Sequence, residues 1–314
     1  MNRTFIISIL LCLVSSCRQA EEKLSQEELA EAAKRDSLCL HVAVFPTLET
    51  LPLYYAERTG VLQENDIRLA HYESMMDCDT SITRGHVEVS FTDEARIISL
   101  RHENGVSLTP IASTGSRLGL FSNKEKKTTR IEQLKEKLIG LERHSQSDYW
   151  SDKILEGTDL TTLDLFRIQI GSTPLRYSML MNNLLDVAFL PEPYASLCDS
   201  TIVSCLWNQD ADDASWTVIA IPETVRKDEL RQSQTKQLLD IYEKTREKIC
   251  SHPDTALLHT IYREDFQITE RDLKRTHWFE WKPQPLDSIS SKARQEAEDW
   301  IYNQRERYKT AGDL

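Results

Sequence analysis

From Leu38 onward, apolar and polar positions alternate in blocks that read as short strands and helices in rotation. Leu40-His41-Val42-Ala43-Val44-Phe45 is a strand-like run, and Pro46-Thr47 reads as the turn after it. Glu49 to Thr59 carries helical spacing and stops at Gly60, the residue type that most often ends a helix. Ile67 to Tyr72 predicts a second strand, Asp77 to Arg84 a short helix ending at Gly85, and Val87 to Phe91 a third strand.

The same succession returns about 97 residues later. Leu138 to Leu141 is a strand, Ser147 to Glu156 a helix stopped by Gly157, and Leu165 to Ile170 a strand. Pro174 to Asn183 is a helix, and Leu185 to Leu190 a strand that echoes Val87 to Thr92. Gly60/Gly157, Glu88/Asp186 and Phe91/Phe189 keep an offset of 97 or 98 residues. One such match follows from generic α/β regularity; a steady offset across five elements points to two copies of one unit.

A βαβαβ unit with short links folds as a parallel sheet with right-handed crossovers. Two such sheets give two lobes, and ligands bind α/β sheets at the carboxyl ends of the strands, in the crevice between them. Leu108 to Ala112 adds a strand to the first copy, and the chain is expected to cross between lobes near Leu120–Asn123. It is expected to return near Trp216–Ile221, a strand-like stretch ending at Pro222. The remainder is helical, with Ser233–Cys250, Pro253–Tyr262 and Ser290–Tyr308 expected to rejoin the first lobe. The expected division is 38–121 with 218–314 as the first lobe and 122–217 as the second.

The N-terminus changes the picture. Met1-Asn2-Arg3 precedes an almost wholly apolar Thr4–Ser15, then Ser16-Cys17, the layout of a secretory signal. The apolar run is too short for a permanent bilayer span. Its end, Leu13-Val14-Ser15-Ser16-Cys17, resembles the lipobox of bacterial lipoproteins, which implies a signal over 1–16 and a diacylglycerol on the Cys17 thiol. Cleavage near Ser16 without lipid is the other reading. Arg18-Gln19-Ala20-Glu21-Glu22 is similar to tags that send some lipoproteins to the outer surface, and reads equally as part of a solvated acidic tether over 17–37.

The chain has 314 residues and a net charge of −12, so two lobes are the natural expectation and nucleic acid is an unsuitable partner. Besides Cys12 and Cys17 there are five cysteines, an odd number, so one at least has no intramolecular partner. Cys198 and Cys205 are close enough in sequence to pair, or stand as small buried hydrophobes. Their spacing fits no metal set, and no Gly-rich phosphate cradle is present.

Pro52-Leu53-Tyr54-Tyr55-Ala56-Glu57-Arg58-Thr59-Gly60 resembles the first helix of periplasmic binding proteins of the nitrate/sulfonate/taurine and thiamine-precursor group. Gly85-His86-Val87-Glu88-Val89, Ser113-Thr114-Gly115-Ser116 and Asp186-Val187-Ala188-Phe189-Leu190-Pro191-Glu192-Pro193-Tyr194-Ala195 resemble its later blocks, over roughly residues 40–220. The resemblance implies an α/β, two-lobed periplasmic-binding-protein type 2 fold. Each lobe would be a βαβαβ-based, mostly parallel sheet flanked by helices, with the ligand cleft between lobes. It also implies delivery of a small-molecule solute to the permease of an ABC importer, without catalysis; no cofactor is expected, and the lipobox places the chain on a lipid anchor at the cell envelope.

Candidate solute contacts are the loops at the strand ends. Phe45 and Thr47 offer a ring face and a hydroxyl, or close a packed strand end. Thr92-Asp93 and Glu192-Pro193-Tyr194 are counterparts in the two copies, and two carboxylates facing the crevice would favour an amine or ring N–H. A buried carboxylate needs a partner, and Arg96, Arg117 or Arg176 would make these structural ion pairs instead. Ser113, Thr114 and Ser116 on a glycine turn suit an oxyanion. Ser145 or Ser147, and Ser172, read as helix caps whose N-termini favour anions. Arg176 is placed to pair with a carboxylate, phosphate or sulfonate, or is an ordinary surface arginine. Trp216, at the return crossing, is the aromatic placed nearest the ligand. The solute is therefore expected to be zwitterionic or heteroaromatic. Two other readings remain: an enzyme on the same fold, similar to menaquinone-pathway enzymes and using His41, His71 or His144, and a surface sensor without a permease.

Overall fold

The computed structural model describes residues 26–210 and 212–312. The signal, Cys17 and the Arg18–Glu22 segment lie outside the described residues. No helix of the described residues is long and apolar enough to cross a membrane. The chain divides into two compact units, residues 1–39 and 40–314. In the first, the later part of the expected tether is a helix, α1 (Gln26–Leu38), rich in good helix formers. Its exposed Arg35–Glu31 pair, 2.6 Å apart at i,i+4, adds the small increment such surface pairs give.

The second unit holds two five-stranded mixed sheets. β1 (Leu40–Val44), β2 (Ile67–His71), β3 (Val89–Asp93) and β4 (Leu108–Ser113) belong to one, and β5 (Leu118–Asn123), β6 (Leu138–Leu141), β7 (Phe166–Gln169), β8 (Val187–Pro191) and β9 (Val203–Asn208) make the other. β10 (Thr217–Pro222) returns to complete the first. The orders are β2-β1-β3-β10-β4 and β7-β6-β8-β5-β9. In each sheet the first three strands of the copy run parallel, while the strand entering from the other half of the chain runs antiparallel to its two neighbours. The two copies thus have one topology, with β5 and β10 exchanged between them. The central strands β3 and β8 are buried at every position; β8 reads as a continuous apolar run, whereas β3 carries the buried polar residues Ser90, Thr92 and Asp93.

The first crossing lies earlier in the chain than expected, and the return ends at Trp216, the start of the expected stretch. β5 belongs wholly to the second sheet, so the chain crosses between Ser113 and Leu118, ahead of Leu120–Asn123; a boundary at 121/122 would cut a strand paired on both edges. The return lies between Asn208 and Thr217, because Thr217 already pairs with Asp93 of the first sheet.

Helices α2 (Leu51–Arg58) and α3 (Met75–Thr83) follow β1 and β2; α5 (Gln146–Lys153) and α6 (Thr173–Met181) follow β6 and β7. Serines cap three of them: Ser74 on α3, Ser145 on α5 and Ser172 on α6 accept a backbone N–H of the first turn. Two further helices follow the third strands, α4 (Glu94–Asn104) and the single turn α7 (Tyr194–Leu197). After β10 come α8 (Glu223–Lys227), α9 (Glu229–Ser251), α10 (Thr255–Glu264), α11 (Glu270–Arg275) and α12 (Ser291–Gly312). α9 and α10 pack on α2, and α12 packs on α4, all elements of the first sheet's layer.

Candidate functional site

The carboxyl ends of the two sheets face one another and touch. Asp93 ends β3 and caps α4 by accepting the Arg96 amide at 2.8 Å; its other oxygen accepts the Gln146 amide, first in α5 of the opposite lobe, at 2.8 Å. Glu142, just after β6, accepts the Met76 amide of α3 at 3.0 Å. The Leu48 amide donates to the Glu192 carbonyl at 2.9 Å, and the Tyr194 hydroxyl to the Phe266 carbonyl at 2.7 Å. Gly171 sits at a close approach of the lobes: a Cβ added there would lie 2.8 Å from the Ser74 Cβ. Burial raises the Asp93 and Glu142 carboxyls to about 7, while the backbone N–H groups and, for Glu142, the Arg176 and Arg96 charges pull the other way.

Several residues expected at the solute are spent on the fold. Thr92 donates to Asp79 at 2.8 Å, and Asp79 is paired with Arg96 at 2.7 Å, so Arg96 serves a structural ion pair. Arg176 is 3% exposed, and its guanidinium donates to the carbonyls of Phe189, Ile170 and Gly171 and to the Thr173 hydroxyl of its own lobe. It is a buried arginine whose hydrogen bonds are made within its own lobe, not a surface one. Ser145 caps α5 and donates to the Glu142 carbonyl, and Ser147 bonds the same loop. Ser172 caps α6 at the edge of a different cavity, which Tyr194 also lines. Trp216 is fully buried against Tyr149, with ring centroids 4.1 Å apart, and is a packing residue. Phe45 is buried in the main core, and Ser113 bonds the backbone of Thr217 and Asp287. Cys198 and Cys205 are both free thiols.

Among the cavities walled by both lobes, one of about 420 Å³ lies beside the two crossing segments. Thr114 and Ser116 of the first crossing line it, with Leu48 and Glu49 after β1, Glu192 and Ser196 after β8, Asn208 and Gln209 at the return, and Trp281. Of the residues expected from sequence, Thr114, Ser116 and Glu192 are here. Thr47 lies beside Glu49 on the same loop, and its hydroxyl makes no hydrogen bond. Gln209 fastens the back wall: its side-chain oxygen accepts from Leu118 N and from Gln146 Nε2. Glu192 accepts from the amide and hydroxyl of Ser196, and burial raises its carboxyl.

Glu49 is the feature the sequence reading passed over. It is 5% exposed, and its Oε2 has no hydrogen-bond partner. Burial raises its carboxyl to about 7; the nearby Ser116 and Thr47 hydroxyls pull it back, although the Thr47 hydroxyl makes no hydrogen bond of good geometry and Oε2 receives none, and no basic side chain contributes. The signal was present in Thr47-Leu48-Glu49-Thr50, a carboxylate in the loop between a largely buried strand and a helix whose first six residues are buried.

No protein-family model and no curated protein matches this sequence. Solved structures do. The alkanesulfonate-binding protein SsuA of Xanthomonas axonopodis, bound to MOPS, matches 85% of this chain and 93% of its own at a TM-score of 0.70 and 12% identity. The aliphatic sulphonate-binding protein SsuA of Escherichia coli matches 85% and 92% at 0.66 and 11% identity. The nitrate-binding protein NrtA of Synechocystis matches 75% and 68% at 0.62 and 11% identity. The fold expected from the resemblance is therefore the fold observed: two α/β lobes arranged as in periplasmic binding proteins.

Proposed function

Starting from a fold shared with periplasmic binding proteins, we propose that this chain binds one small-molecule solute between its lobes and delivers it to an ABC importer. The observation that supports this most directly is the 420 Å³ cavity at the crossing segments, walled by both lobes and lined by polar side chains. Pockets at domain interfaces with a few convergent polar groups are the usual form of a small-molecule site. In this reading the Asp93–Gln146, Glu142–Met76 and Leu48–Glu192 contacts are those of the closed form. Solute touching both walls raises the closed population by its differential affinity. Cys17 would carry the lipid that keeps the body at the envelope surface, with more than one acyl chain needed for stable anchoring.

Catalysis finds less support. None of His41, His71 and His144 lines this cavity: His41 and His71 face Glu88 and Glu57, and His144 lies in the loop before α5. The test is thermal unfolding of the purified chain against amines, sulfonates, pyrimidines and oxyanions. A true solute at a hundredfold excess over its Kd should add about 2.7 kcal/mol, seen as a raised Tm. A compound converted to a different product would favour the enzyme reading, and silence across the panel would count against both.

A further inference from the structure

Three groups suited to an anion, the N-terminus of α5, Arg176 and Arg96, are already committed. The N-terminus of α5 is filled by the chain's own carboxylates: Asp93 takes the Gln146 amide, and Asp148 takes the His144 amide at 2.9 Å. Arg176 is spent on carbonyls of its own lobe, and Arg96 on Asp79 and the Arg143 carbonyl. The buried group on the cavity wall that is not committed carries the opposite charge. Glu49 Oε2 has no partner, the adjacent Thr47 hydroxyl has none, and a second carboxylate, Glu192, shares the wall. A buried carboxylate without a partner costs several kcal/mol, on the order of the full desolvation penalty, so the site is completed by whatever supplies the missing donor.

We propose that the solute is a small organic cation with at least one N–H donor, of the amine or amidine type, whose charged end is taken by Glu49. The assignment rests on the solute-binding reading and narrows it to a charge class opposite to that of the sulfonate- and nitrate-binding proteins named above. Trp281, on the same wall, supplies an aromatic face suited to the rest of such a cation. The cations on the wall do not cancel this. Lys282 donates to the Ile249 carbonyl at 3.2 Å, and Arg117 is exposed, whereas Glu49 is buried.

The experiment is titration of the purified chain and of Glu49→Gln with ethylamine, putrescine and agmatine, and with methanesulfonate and nitrate as the opposite class. Affinity is read by calorimetry at pH 6 and pH 8, and Tm is recorded alongside. Glu49→Gln removes a buried charge at constant volume, so its unligated Tm should equal or exceed that of the parent. Its affinity for the best cation should fall roughly tenfold to a hundredfold, the range for losing a hydrogen bond to a charged group. The parent supplies a second readout that needs no variant. The groups facing Glu49 are the Ser116 and Thr47 hydroxyls, the Tyr242 phenol that donates to its carbonyl, and Glu192, Arg117 and Lys282 on the wall. With the Glu49 carboxyl near 7 and the amines protonated at both pH values, cation affinity should rise roughly tenfold from pH 6 to pH 8. Cation affinity that is pH-independent and unchanged in Glu49→Gln would overturn the role of Glu49. Binding of methanesulfonate or nitrate without binding of any cation would overturn the charge class and leave the solute-binding reading standing. Absence of binding by either class counts against both.

Discussion

The two oxygens of Asp93 serve two helices, accepting the Arg96 amide in α4 and the Gln146 amide in α5. Asp93→Ala removes a helix cap and leaves a buried N–H across the lobe contact without its acceptor. Together these should cost roughly 2–4 kcal/mol, measured by urea unfolding, with no change in sheet content by circular dichroism. Acidity works at the same scale. Glu49, Asp93 and Glu142 are all held near 7, well above ordinary carboxylates, so between about pH 4 and 7 the folded chain binds more protons than the unfolded one. Unfolding free energy should therefore fall as pH rises from 5 to 8 without solute. Glu49→Gln should flatten part of that slope, and a parent chain equally stable at both pH values would contradict the assignment. These roles were only partly legible in the sequence. The serine caps showed because capping is local: a hydroxyl before a helix bonds within three residues. Arg176 misled because its guanidinium turns back onto carbonyls of its own lobe, and Asp93 because its second oxygen meets a backbone N–H 53 residues away, which no spacing encodes.

Among the elements, those with period-two or glycine-stopped patterns were legible, and those shaped by tertiary contact were not. α4 was hidden because its first turn places Glu94 and Arg96 in buried positions, so polar letters occupy what is structurally an inward face. β5 was taken for a crossing because its pairing with β8 and β9 is long-range. The loop after β7 carries a requirement that a single letter shows only in the structure. At Gly171 the backbone passes so close to Ser74 that an added Cβ forces something there to shift. Gly171→Ala is expected to leave each lobe folded, to weaken solute binding, and to leave the ligated chain with a larger radius of gyration than the parent by X-ray scattering. An unchanged radius and affinity would show that the lobes do not need this approach.

At the scale of the molecule, the offset of 97 residues was the most informative feature of the sequence, because two copies of one βαβαβ unit dictate two sheets and a crevice. What it left out was the exchange of β5 and β10, which ties each lobe to the other through two crossing segments and places the cavity beside them. The charge of the solute was not legible. The sequence set acidic loops against Arg176 and the helix N-termini; Arg176 and the N-terminus of α5 are taken up by groups of the chain itself, while Glu49 Oε2 is left without a hydrogen-bond partner. The central claim is that one solute is held between the lobes, and native mass spectrometry of the intact chain purified from its own cells tests it most directly. The account predicts a single small-molecule adduct per chain that is released unaltered on denaturation and lost in Glu49→Gln. A chain that stays bare even when the candidate cations are added, or an adduct released as a chemically altered product, would contradict it.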